Sequence, residues 1–148
     1  MGNPKNSKAA ARVSAITRIL LVDNDRPWRR FVLSTVEKTK GLKVVGEAAD
    51  GIEAIARGLA LKPDLILLDV ELSTLGGVEV ARCLSDMLPG TKIIFLTRNR
   101  DKDVMAKCLS NGGTGCVVKE DARAELLPAI KAVMQGSKRL KRRLPRPR

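Results

Sequence analysis

Four residues that each close a short apolar run carry the chemistry this sequence can offer. Asp23 follows the run at 19–22, Asp69 the run at 65–68, Thr97 the run at 93–96 and Lys119 the run at 116–118. Asn24 stands directly after Asp23. Two carboxylates and an amide make a hard-oxygen site suited to octahedral Mg²⁺, with water completing the shell; Mn²⁺ suits the same ligands. A hydroxyl and an ammonium facing the same point would hold anionic oxygens. Together these groups describe a pocket for a phosphoryl group beside a divalent cation. Singly, each residue says little, because an Asp after a strand is commonly a cap or turn residue. The joint placement at four run ends points to a site.

Such a site requires elements that bring the four run ends together. The runs at 19–22, 65–68, 93–96 and 116–118, with Val44 and Val45 before Gly46, are short and apolar on both faces, as buried strands of a parallel sheet are. Helical patterns lie between and after them. Trp28, Phe31, Val32, Thr35 and Val36 recur at helical spacing after Pro27, which suits a first turn. Ile52, Ile55, Ala56 and Leu59 repeat that stripe, and Ala81, Leu84 and Leu88 run into Pro89-Gly90. Met105, Cys108 and Leu109 end at Gly112-Gly113; Leu126, Ile130, Val133 and Met134 end at Gly136. Pro128 either sits in a late first turn or kinks that last helix. The order is (βα)₅, an α/β class with helices on both faces of a parallel sheet, and sites in such sheets lie beyond the strands' carboxyl ends.

Composition removes several competing chemistries. The 148 residues contain no histidine, which excludes His-ligated zinc, serine–histidine nucleophile pairs and a histidine pH switch. Cys83, Cys108 and Cys116 form no C-x-x-C pattern and read as small buried apolar groups in a reducing compartment. Neither G-x-G-x-x-G nor a P-loop follows the first run. No apolar run approaches the length of a membrane span, and residues 1–18 hold no secretory-type stretch, so the expected location is the cytoplasm without membrane insertion.

Lys and Arg total 28 against 16 acids, a net charge of +12. Residues 1–18 carry four cations and 136–148 carry seven, with no acid in either; removing these eleven leaves 17 against 16. The chain reads as a flexible basic extension (1–16), a nearly neutral domain (17–136) and a basic tail (137–148). Such ends attract nucleic acid, anionic membrane or acidic partners, and a short tail would hold nucleic acid only weakly at moderate salt.

ILLVDND at 19–25, PDLILLDVEL at 63–72, KIIFLT at 92–97 and GGTGCVVKED at 112–121 resemble the receiver domain of bacterial response regulators, in particular the receiver part of LuxR/FixJ-type regulators. The spacings of 46, 28 and 22 residues between Asp23, Asp69, Thr97 and Lys119 match that family. The resemblance implies a flavodoxin-like three-layer sandwich with strand order 2-1-3-4-5. It makes Asp69 the phosphoacceptor and part of the metal site. Asp23 and Asn24 take the places of the acidic pair around Mg²⁺, the backbone carbonyl of Glu71 is a further metal ligand, and Thr97 and Lys119 contact the phosphoryl group. The implied partners are a sensor histidine kinase or phosphotransfer protein, a downstream protein, and a second copy through the face of the fourth helix, fifth strand and fifth helix. The domain is then a phosphoacceptor and not a turnover enzyme. The alternatives are an adaptor that works without phosphorylation and a basic-tailed protein associated with nucleic acid.

Four positions depart from the family. Asn24 replaces an acid, so weaker metal affinity is expected. Arg98 replaces a small residue and either narrows access to Asp69 or reaches the phosphoryl group. Cys116 stands where an aromatic ring usually swings, and Ser73 where a proline stiffens the loop.

Overall fold

The computed structural model describes residues 15–142, with side-chain surroundings for 15–136. The expected basic extension (1–16) lies almost wholly outside the described residues, as does the last part of the basic tail. Strands β1 (Thr17–Val22), β2 (Leu42–Ala48), β3 (Leu65–Asp69), β4 (Lys92–Thr97) and β5 (Gly115–Val118) alternate with helices α1 (Arg26–Glu37), α2 (Gly51–Leu61), α3 (Gly77–Met87), α4 (Lys102–Ser110) and α5 (Ala122–Arg142). A single turn of 3₁₀ helix at Lys119–Asp121 joins β5 to α5. All strand pairings are parallel and the order is β2-β1-β3-β4-β5, as the resemblance implies.

Period-two alternation explains why the apolar runs are unbroken. Ile19 and Leu21, Leu65 and Leu67, Ile94 and Leu96 face α1 and α5, where they meet Val32, Val36, Leu126 and Ile130. Leu20 and Val22, Ile66 and Leu68, Ile93 and Phe95 face α2, α3 and α4, packing on Ala54, Val80, Ala81, Leu84 and Cys108. Each fully buried Leu or Ile contributes roughly 1.5–3 kcal/mol, so the central strands are the stable frame on which the loops are hung.

β2 departs from the expectation of a fully buried strand. It is the sheet's edge, most of its residues are half-buried, and it runs through Gly46 instead of stopping there. Its register slips between Ile19 and Leu20, leaving Val45 without a partner. This one-residue bulge reverses the alternation, so Glu47 emerges on the α1 side together with Val44.

Of the stripe expected to bury α2, only Ile55 packs on the core, half-buried. Ile52 is 65% exposed and Leu59 and Ala56 also face solvent, while Gly51, Ala54 and Gly58 are buried. The reason is close packing: a Cβ on Gly58 would stand 3.0 Å from Leu84 Cδ2, and one on Gly51 would strike Leu75. α3 thus sets Val80 and Leu84 against the small residues Gly51 and Gly58 of α2. In α4, Cys108 is buried but Leu109 is half-exposed, and against expectation the other two cysteines, Cys83 on α3 and Cys116 at the sheet's edge strand, are only half-buried. α5 does not end at Gly136; it continues to Arg142, because one glycine costs a helix only about 1 kcal/mol. Pro128 lies inside this helix, not in its first turn.

Candidate functional site

With the order β2-β1-β3-β4-β5, the chain leaves β1 and β3 toward opposite faces, and the crevice opens at their carboxyl ends. Asp23 lies directly past β1 and Asp69 ends β3. Both are almost fully buried, as is Thr97 at the end of β4. Asp69 pairs with Leu96, the neighbour of Thr97, and Val70 N–H donates to the Leu96 carbonyl at 3.0 Å, which holds the β3 and β4 ends together. Gly77, at the start of α3, makes room for this loop. A Cβ there would meet the Asp69 carbonyl and stand 2.8 Å from Val70 Cα.

Lys119 reaches from the end of β5 with its side chain only 7% exposed. Its Nζ is 2.6 Å from Asp23 Oδ2 and 3.7 Å from Asp69 Oδ2, and 5.2 Å from the Trp28 ring centroid. The remaining carboxylate oxygens are held by main chain. Asp25 N–H donates to Asp23 Oδ1 at 2.9 Å, and Glu71 N–H donates to Asp69 Oδ1 at 3.1 Å. Asn99 N–H donates to the Thr97 hydroxyl oxygen at 3.0 Å, leaving the hydroxyl proton free for another acceptor. The Asp69 carboxyl is raised above the usual aspartate range, first by burial and then by the charge of Asp23; the Glu71 N–H and Lys119 only partly offset this.

These residues fit a hard divalent cation. Asp23 Oδ2 is buried, and its one close partner is the Lys119 ammonium at 2.6 Å. Two buried carboxylates facing one ammonium leave negative charge that a cation would offset. Among the described residues no three acidic or cysteine side chains cluster, so main-chain oxygen and water would complete the shell. Asn24 is exposed, outside the buried set. The Glu71 main chain lies beside Asp69, as its N–H bond requires.

Spacing gave no hint of three arginines that tie the site's loops. Arg29 donates from Nη1 to the Asp23 carbonyl at 2.5 Å and from Nε to Glu47 at 3.0 Å. Arg98 Nη2 donates to Asp25 Oδ2 at 3.1 Å. Arg100 grips Asp121 with both terminal nitrogens at 2.9 Å and Glu120 at 2.7 Å. The Glu47 partner follows from the β2 bulge, which only pairing reveals.

The family model described as "Response regulator receiver domain" matches residues 19–131, most of the chain. The chain belongs to the response regulator receiver family. Such receivers take up a phosphoryl group and signal through protein contacts; they are phosphoacceptors and not turnover enzymes. Among curated relatives, the transcriptional regulatory protein LiaR of Bacillus subtilis is 31% identical over 123 residues, covering 83% of this chain and 58% of that protein. The response regulator UvrY of Escherichia coli K12 is 32% identical over 120 residues, covering 81% of this chain and 55% of that protein. The receiver thus spans little more than half the length of these relatives. Among solved structures, a LuxR-family two-component response regulator from Aurantimonas sp. SI85-9A1 matches with a TM-score of 0.78 at 31% identity, covering 82% of this chain and 86% of that one. The response regulator domain of Thermotoga maritima CheB matches at 0.74 and 27% identity, covering 81% and 97%. No described helix of this receiver is long and apolar enough to cross a membrane.

Proposed function

We propose that this receiver accepts a phosphoryl group on Asp69 from the phosphohistidine of a sensor kinase or phosphotransfer protein, in the cytoplasm, and passes the signal through protein contacts. The observation that carries the reading is Lys119, buried and in reach of both Asp23 and Asp69. An Asp69 carboxylate oxygen attacks phosphorus in line with the scissile P–N bond, and the leaving imidazole keeps the bonding pair and takes a proton from water. Lys119 balances charge on the transferring oxygens, and the free hydroxyl proton of Thr97 is donated to one of them. Asp23, Asp69, the Glu71 carbonyl and water would hold a Mg²⁺ or Mn²⁺ ion, with Asn24 at the margin, and that ion would supply the remaining positive charge.

The half-exposed Leu109 of α4 supports the α4–β5–α5 face as the output surface, for a downstream protein or a second copy. Weak contact of the basic ends with nucleic acid is compatible with this output. The test is incubation with Mg²⁺ and a small acyl phosphate, followed by intact-mass measurement. Gain of one phosphoryl group, absent in Asp69→Asn, is expected. No gain at saturating donor supports the adaptor that works without phosphorylation, a reading favoured by the exposed, uncharged Asn24.

A further inference from the structure

Arg98 and Asp25 lie 73 residues apart in sequence, yet their side chains meet at 3.1 Å. Asp25 stands two residues beyond Asp23, in the β1–α1 loop, and Arg98 directly follows Thr97, in the β4–α4 loop. In the sheet, β3 lies between β1 and β4. An ion pair from the first loop to the second therefore passes over the end of β3, where Asp69 sits. Strands two apart are separated by about 9.5 Å, a gap that an arginine can span and a short side chain cannot. Asp25 is also the N-cap of α1, a position whose carboxylate ordinarily binds the helix's free N–H groups, but it makes no cap hydrogen bond. Its carboxylate is turned away from its own helix toward Arg98.

We infer that Arg98 and Asp25 form a strap across the mouth of the phosphoacceptor pocket, controlling both the access of phosphodonor to Asp69 and the access of water to the acyl phosphate. This rests on phosphorylation at Asp69 as proposed above. The chemistry beneath the strap is unchanged: donor phosphorus bonds to the Asp69 oxygen, and later a water oxygen attacks that phosphorus and releases inorganic phosphate. A strap restrains both steps alike. A direct hold of Arg98 on the phosphoryl group would instead assist the first step, by attracting the anionic donor. The strap is modest in strength, since the Arg98 side chain is 66% exposed and that of Asp25 32%. Exposed ion pairs of this kind support rate changes of about two- to fivefold, weakened further by salt.

The experiment compares the parent chain with Arg98→Gln, Asp25→Asn and the double variant, at saturating Mg²⁺, using a small acyl phosphate as probe. Intact mass follows phosphoryl gain, and its decay after donor removal. For the strap, each single variant gains and loses the phosphoryl group about two- to fivefold faster than the parent. The double variant then matches the singles, because one broken strap cannot be broken twice, and 0.5 M salt moves the parent toward the variants. Slower gain in Arg98→Gln with an unaffected Asp25→Asn assigns Arg98 to the phosphoryl group and overturns the strap. Unchanged rates in both variants overturn it too, leaving a surface ion pair. A parent that gains nothing while the variants do supports a fully closing strap. If no variant gains a phosphoryl group, the reading of Asp69 as phosphoacceptor fails and the strap falls with it.

Discussion

Lys119 sits nearer to Asp23 than to Asp69, at 2.6 Å against 3.7 Å, with all three side chains buried. The ammonium thus holds together a pocket that would otherwise contain two facing carboxylates. Removing one member of a buried ionic set strands the others, which costs about 3 kcal/mol. Lys119→Ala is expected to lose about that much stability without divalent cation, read as a fall in the urea midpoint. Saturating Mg²⁺ should close part of the gap, because the cation offsets the same charge. A variant as stable as the parent in chelator would refute this account of the pocket.

Asn24 is exposed next to the buried Asp23, and on the proposed reading of the cation site it leaves that site one charge short of the acidic pair the resemblance implies. Asn24→Asp restores that charge at the rim, where solvent screens it partly. Mg²⁺ affinity should rise about three- to tenfold, followed by the fluorescence of Trp28, whose ring lies beside Lys119. Equal affinities would place Asn24 outside the cation's reach.

Gly77 is required for space and not for backbone freedom, since an added Cβ would press on the Asp69 carbonyl and on Val70, both main chain. Backbone cannot swing aside as a side-chain tip can. Gly77→Ala is therefore expected to cost about 2–3 kcal/mol and to slow phosphoryl gain by displacing Asp69. Gly90→Ala, at a position with open space, is the control and should change neither. If both alanines behave alike, close approach at Gly77 is not what fixes the loop.

The core strands and the four inner residues were legible because burial on both sheet faces leaves an uninterrupted apolar run, and a polar residue can follow only where the strand emerges. α2 was misread for a physical reason: Ile52 and Leu59 form the more hydrophobic stripe, but Gly51 and Gly58 let α3 come closer, and helix approach overrode side-chain hydrophobicity. Gly136 misled in the same way, since a glycine with free space around it stops a helix only if nothing sustains the next turn. The arginine ties could not be read at all. Arg26, Arg29 and Arg30 look alike along the chain, and only the bulge at Val45, which turns Glu47 toward α1, selects Arg29. Arg98 was read as a departure with two outcomes, and its partner Asp25, 73 residues away in sequence, could not be named before the sheet order brought the two loops together.

Asp69 gives the clearest pH dependence. Burial and then the Asp23 charge raise its folded-state pKa above that of the unfolded chain. The folded protein consequently holds this proton more tightly than the unfolded one. The resulting stabilisation is complete below the unfolded aspartate pKa and is lost as pH rises through the raised folded value. Above that raised value, without divalent cation, the ionised Asp69 carboxylate therefore weighs against the fold. Asp69→Asn removes the charge while keeping the shape, and Glu71 N–H can still donate to the amide oxygen. The variant should have a higher urea midpoint than the parent at pH 7 in chelator, and the difference should shrink as the pH is lowered toward 4. Adding Mg²⁺ should stabilise the parent more than the variant, because the full carboxylate pair is the better cation ligand. A variant no more stable than the parent at pH 7 in chelator would mean that Lys119 and the Glu71 N–H already satisfy Asp69, and that the pocket carries no charge strain for a cation to relieve.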